Sequence, residues 1–291
     1  MKDGKEYVVV TVRPEDYNVH DIRAKKPLTF KNNNESGSAV MQEVDEIKFN
    51  NKYDGERNTL SYFSPNNVGI LLSIADKSFE KAKQLFNDYL NPQKVDHRLT
   101  NKEGAKLDNI KTDSHVTYDF IEHIQINLVF GYTAIEAFAN LSIPNDYKYQ
   151  PGKNHKGIEE IYDKEAIERW VSLRNKVSII LPEIYQTPPI KKDKVWNDFI
   201  RFEDLRNEII HQKSISDTNF YKKYFKSSFF KICSTPEEVI KFFFEQRKDK
   251  VSTNPLWPWI INSKNDFPIS HEYGAKRFEL VGNLYEGKFK K

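Results

Sequence analysis

LVFGYTAIEAFANL, residues 128–141, contains one charged side chain, Glu136, and otherwise reads as continuous apolar helix. A helix this apolar is covered by protein on nearly every side, so it predicts a helical core rather than a surface element. The same pattern extends back to His115, giving a helix over His115–Leu141 that Pro144 terminates before the polar loop Asn145–Lys156. Two further helices follow at short intervals. Ile167, Trp170, Val171, Leu173, Val177 and Ile180 mark one face of a helix from Lys164 to Leu181, with Pro182 as its stop. After Pro188-Pro189 comes Val195–Lys213, VWNDFIRFEDLRNEIIHQK. Three helices with short connections are the grammar of an antiparallel bundle, and the fold expected is mainly α.

Upstream, β-branched Tyr7–Val12 reads as a short strand, Asn58–Phe63 as a second, and Val40–Phe49 is ambiguous. Val68–Leu90 has helical periodicity, as one helix or two consecutive ones, stopping at Asn91-Pro92. Polar Asn91–Asp113, with Pro92 and Gly104, is the expected boundary. Downstream, Thr235-Pro-Glu-Glu238 has the capping-box pattern with proline at the first helical position, predicting a helix over Pro236–Lys248. The expected organisation is an N-terminal α+β region, residues 1–113; a helical bundle, residues 114–250; and an aromatic-rich C-terminal extension, residues 251–291, packed on the bundle.

Composition narrows the function classes. Against 45 Lys and Arg stand 42 Asp and Glu, a net charge of +3, so no global field announces a polyanionic partner and any such site is local. A single cysteine, Cys233, excludes an internal disulfide or a cysteine-based zinc site and is expected to be a reduced core thiol, in keeping with a cytoplasmic compartment. The first residues have too short an apolar run for a signal peptide, and no stretch reaches the roughly 18 apolar residues that suggest a membrane span. No metal or organic cofactor is expected. The sequence has no Gly-rich phosphate loop and no nucleophile elbow.

The chemistry concentrates in Val195–Lys213. At about 100° per residue Val195, Phe199, Phe202, Leu205, Ile209 and Ile210 share one face, and Arg206 falls near its middle. A guanidinium cannot lose its proton, so there it must snorkel to water, meet a buried carboxylate, or face a subunit interface or an anion. Asn207 and His211 follow, four residues apart and therefore neighbours on the adjoining surface. Histidine moves protons near neutral pH, and an arginine beside it holds phosphate and stabilises developing charge. The tripeptide Leu205-Arg206-Asn207 also occurs as Leu173-Arg174-Asn175, where Ile179 stands in place of the histidine. Glu136, the lone carboxylate of the apolar helix, is counted with Arg206, Asn207 and His211 among the candidate catalytic residues; it either pairs with Arg206 or emerges to water at a gap in the bundle. Lysines and aromatics interleaved over Phe220–Phe230 form either a stacking surface for single-stranded RNA or a core edge with solvated lysines.

Arg206-Asn207-Glu208-Ile209-Ile210-His211 resembles the signature of the HEPN superfamily (higher eukaryotes and prokaryotes nucleotide-binding domain), an arginine and a polar residue followed by a histidine late in a helical bundle. The helix ending GYTAIEAFANLSIP resembles the long helix near the start of such domains, and the likeness covers about Ser114 to Lys213. The resemblance implies a bundle of four or five helices and a homodimer whose two motifs form one composite cleft. It also implies a metal-independent endoribonuclease that leaves a cyclic phosphate, with Arg206 and His211 catalytic and Asn207 orienting one of them. Such proteins serve as toxins or effectors in abortive infection and toxin–antitoxin defence, so RNA as substrate and an antitoxin as partner are expected. A non-catalytic HEPN-like module binding a nucleotide, RNA or a protein is the alternative.

Overall fold

The computed structural model describes residues 6–11, 21–25, 28–31, 38–50, 57–91, 103–153, 157–211 and 219–247. The protein is mainly helical with a small antiparallel sheet, and it divides into two compact units, one within the first 70 residues and one spanning Leu71–Asp249. The expected C-terminal extension, residues 251–291, lies outside the described residues.

In the first unit the organising element is the stretch that sequence left ambiguous. β3 (Ser38–Asn50) is the central strand, pairing antiparallel with β1 (Glu6–Thr11) on one edge and with β2 (Leu28–Lys31) and β4 (Arg57–Phe63) on the other. Its alternation is obscured because acidic and apolar residues share each side, Met41, Glu43, Asp45 and Ile47 on one of them; the partners on both edges settle what composition does not. A register shift between Val9 and Thr11 bulges β1. Beyond Val44, β3 and β4 remain paired among the described residues, and Ile47 and Leu60 face each other there, both exposed. The Asn66 carboxamide accepts from the Val68 amide at 3.1 Å and so caps the next helix. Gly69 in its first turn is obligatory, since a Cβ there would stand 2.0 Å from the Ile22 carbonyl oxygen.

α1 (Asn67–Leu85) continues into a π-helical turn, Phe86–Leu90, which accounts for the mixed spacing read as one or two helices. α2 begins at Glu103, inside the stretch read as a boundary, and runs unbroken to Ser142. Its apolar half packs less completely than sequence predicts. Leu128, Ala134, Ile135, Phe138 and Ala139 are fully buried, but Phe130, Thr133, Glu136 and Ala137 are half-buried and Leu141 is exposed. Gly131 marks the tightest approach: a Cβ there would lie 2.6 Å from the Pro236 ring and 3.0 Å from Phe202. Asn127, buried on the same helix, donates to the carbonyls of Ala75 at 3.1 Å and Cys233 at 3.3 Å, tying α1, α2 and α7 (Phe230–Cys233) together.

The helix expected over Lys164–Leu181 is broken. α3 (Lys164–Trp170) ends at Val171, and Ser172 in extended conformation starts the short α4 (Leu173–Asn175), its hydroxyl accepting from the Asn175 amide at 3.3 Å. A π-helical turn, Lys176–Ile180, then leads into α5 (Leu181–Tyr185), so Pro182 opens an element rather than closing one. Its missing N–H is harmless in a first turn, and the wider π turn accommodates its ring. α6 (Lys194–Ile210) is capped by Asp193, whose carboxylate accepts from Val195 N at 2.9 Å, and it buries Phe199 and Phe202 completely.

α8 (Thr235–Gln246) is present, but the capping box is not made. Ser234 joins α7 to α8 in helical conformation, which turns Thr235 inward, where its hydroxyl is buried without a partner. The Phe220–Phe230 segment resolves to the core alternative: Tyr224 and Phe229 are buried, Phe230 packs edge-on against Phe86 at 5.1 Å, and Lys222, Lys223 and Lys226 are exposed.

Cys233 is a buried thiol, and burial raises its pKa from 9.0 to about 12. A group whose folded pKa lies above its unfolded value stabilises the fold fully below the unfolded value, and the contribution is lost as pH rises through the folded one. Stability measured by urea unfolding should therefore fall between pH 9 and 12, and Cys233→Ala should remove about 1.4 kcal/mol per pH unit of that slope. An unchanged slope would contradict an inert, desolvated thiol.

Candidate functional site

The charge most deeply buried on α6 is Glu203, 6% exposed, three residues before Arg206 on the same face. An ionised carboxylate this buried needs partners, and it has two from outside its own helix. The Tyr132 hydroxyl on α2 donates to Oε1 at 3.1 Å, and the Arg174 guanidinium on α4 donates Nε to Oε2 at 2.7 Å, with a second ion pair at 2.5 Å. Burial, and then the neighbouring Glu203 charge, push the Tyr132 hydroxyl well above its ordinary pKa, so it remains a neutral donor. The arginine that sequence reading set aside, Arg174, is therefore the one that meets the buried carboxylate.

Arg206 is left otherwise engaged. Its guanidinium lies over the Tyr132 ring, 4.7 Å from the centroid, and Nη1 donates to the Asn207 side-chain oxygen at 3.1 Å. Its Nε is buried and has no hydrogen-bond partner among the described residues. The pairing considered between Glu136 and Arg206 is not formed. The buried carboxylate nearest in the helical pattern is Glu203, and Arg174 neutralises it. The Glu136 charge acts instead on Tyr132 and on Lys176.

Lys176 is 1% exposed, an unusual position for a lysine. Its ammonium donates to the Asn140 side-chain oxygen at 2.7 Å and to the Glu168 carbonyl at 3.0 Å, a carbonyl in the last turn of α3. Burial lowers its pKa, against the opposing pull of Glu136 and then Glu168.

His211 sits at the C-terminal end of α6 and is exposed. Its backbone N–H donates to the Asn207 carbonyl at 2.9 Å. Asn207 thus touches both proposed catalytic residues, through its side chain to Arg206 and through its carbonyl to the His211 backbone. The four residues singled out from sequence divide accordingly: Arg206 and Asn207 meet side chain to side chain, His211 is tied to Asn207 through the backbone hydrogen bond of the last helical turn, and Glu136 belongs with Tyr132 and Lys176 by charge and makes no direct bond to Arg206. Tyr132, Glu203, Arg174 and Lys176 escaped the sequence reading. The available signal was Glu203, which occupies the same helical stripe as Phe199, Phe202 and Arg206.

No three His, Cys, Asp or Glu side chains among the described residues group as metal ligands. Likewise no helix among them is long and apolar enough to cross a membrane. The chain matches no family model, no curated protein and no solved structure.

Removing one partner of a buried ion pair costs more than neutralising the pair, because the survivor is stranded. Arg174→Met should destabilise the protein by about 2 kcal/mol, a value moderated by the half-exposed arginine. Glu203→Gln, which still accepts from Tyr132, should cost clearly less, and the double variant should recover much of the Arg174→Met loss in a denaturation cycle. Additive losses would show that the two side chains are not coupled.

Proposed function

We propose that this protein is a metal-independent endoribonuclease of HEPN type, acting in prokaryotic defence as a toxin or effector. The observation that carries the reading is the guanidinium of Arg206, which lies over the Tyr132 ring, donates to the neutral Asn207 carboxamide and, among the described residues, has no carboxylate partner. A cation held in place without a carboxylate partner is suited to a phosphate group, two of whose oxygens accept parallel N–H bonds from one guanidinium. Because Glu203 is already matched by Arg174 and Tyr132, it does not compete for Arg206.

In the proposed reaction a ribose 2′-oxygen attacks the adjacent phosphorus, its proton passing to a histidine. The bond from phosphorus to the 5′-oxygen breaks, and that oxygen takes a proton from a general acid. The products are a 2′,3′-cyclic phosphate and a 5′-hydroxyl, with Arg206 stabilising the charge on the non-bridging oxygens. Base and acid act on opposite sides of the phosphorus, and one chain supplies one such histidine, His211. A second copy supplying its own motif completes the pair, which is the role of the homodimer here. The incompletely covered stripe on α2, Phe130, Thr133, Ala137 and Leu141 at helical spacing, is a surface such a copy can cover.

Cleavage of mixed single-stranded and transfer RNAs in excess chelator tests the reading. Arg206→Ala and His211→Ala should each lower the rate at least ~100-fold, with the thermal midpoint of the exposed His211→Ala variant unchanged. Undiminished cleavage by both variants, or intact RNA with the unaltered protein, would refute it.

A further inference from the structure

Apart from the Arg206 group, the second unit contains a cleft of about 330 Å³ built on aromatic side chains that no catalytic role requires. That is the small end of the range for ligand cavities, about 300–1,000 Å³, and suits a single base with its sugar rather than an extended ligand. Two of its walls are structurally accounted for. Tyr149 and Tyr162 pair through reciprocal backbone hydrogen bonds of 2.9 Å and pack on the small core of Ile143, Ile167, Val171 and Ile180. Tyr162 also donates its hydroxyl to Glu160 at 2.5 Å.

The third aromatic wall is not accounted for by packing. Trp170 ends α3 and is 68% exposed, more than any other large hydrophobic side chain of the described residues, although the core of the unit begins at its neighbour Val171. Leaving an indole this open forgoes the burial that normally justifies the residue. Its own neighbour Arg169 lies over the ring with the guanidinium carbon 4.9 Å from the centroid. Lys153 supplies a cation at the rim of the cleft. Glu160 also lines the cleft, its carboxylate accepting from the Tyr162 hydroxyl. With Arg169 on the indole and Lys153 at the rim, two cations stand against that one carboxylate, and the open indole suits a neutral aromatic ring whose adjoining phosphate meets Lys153.

The remaining wall supplies the polar groups that such a ring requires. Ser172 and Asn175 both line the cleft, the Ser172 hydroxyl accepting from the Asn175 backbone N–H at 3.3 Å. Asn175 offers one donor and one acceptor from an exposed carboxamide, the complement of a base edge. Ser172 and Asn175 bracket the three-residue helix that also presents Arg174 to Glu203. The turn that shapes the cleft therefore also belongs to the polar network beside Arg206.

We propose that the cleft formed by Tyr149, Tyr162, Trp170 and Asn175 is a base-stacking subsite for single-stranded RNA, with Lys153 meeting the phosphate. The ligand class rests on the ribonuclease reading; the existence of the subsite rests on the cleft itself. It holds an unpaired nucleotide flanking the cleaved linkage and thereby selects single strands over duplex, whose bases present no free face.

The test is fluorescence anisotropy of the full chain with a labelled single-stranded 2′-O-methyl oligonucleotide, which cannot undergo 2′-oxygen attack and so isolates binding from cleavage. Trp170→Ala should weaken binding on the order of tenfold and Trp170→Phe much less, since stacking survives with a smaller ring. A duplex of the same sequence should bind the unaltered protein and Trp170→Ala equally. Equal affinity of both proteins for the single strand, the same loss on duplex, or no binding by the unaltered protein overturns the subsite. Binding through Trp170 in a protein that cuts no RNA supports the subsite and refutes the ribonuclease reading. Cleavage of RNA with single-strand affinity unchanged in Trp170→Ala does the reverse.

Discussion

Burying the Glu203 carboxylate is the constraint around which the polar part of the helical unit is arranged. An ionised carboxylate out of contact with water requires donors, and those available lie on other elements: Tyr132 from α2 and Arg174 from α4. Each bond fixes a helix relative to α6. The arrangement also leaves Arg206 over the Tyr132 ring with no carboxylate partner among the described residues. Because Arg174 and Tyr132 satisfy Glu203, Glu203 is not the partner of Arg206, and the phosphate contact proposed for Arg206 depends on that.

The break between α3 and α4 has a comparable reach. Because α3 stops at Trp170, the Glu168 carbonyl is free to receive Lys176, and the turn restarted by Ser172 carries Arg174 to Glu203. The same interruption leaves Trp170 open beside the Tyr149–Tyr162 pair. A continuous helix through this segment would bring neither feature into place.

Much of the architecture was legible from sequence wherever pattern and punctuation coincide. The helix expected from Val195, which ends at Ile210 short of the expected Lys213, the strand ending at Phe63 and the helix after Pro236 follow from periodicity and from residues that start or stop elements. The misreadings have physical causes. The Lys164–Leu181 pattern keeps its apolar spacing through the break, because Val171 and Leu173 are buried on both sides of it. Thr235 sits in a capping position that its neighbour Ser234, already helical, has removed. The motif Arg206-Asn207…His211 was readable, but the role of Arg174 was not, since the tripeptide is the same in both copies. What distinguishes them is Glu203, which reaches Arg174 across 29 residues and leaves Arg206, three residues away on its own helix, unpaired.

The ends left on cleaved RNA report most directly on the proposed chemistry at Arg206 and His211. RNA treated with the full chain in excess chelator should yield fragments bearing 2′,3′-cyclic phosphate and 5′-hydroxyl termini by mass spectrometry, and a ribose lacking its 2′-hydroxyl should resist cleavage at that position. Fragments ending in 3′-hydroxyl and 5′-phosphate groups, or cleavage that proceeds without the 2′-hydroxyl, would contradict an Arg206–His211 site acting on the ribose oxygen.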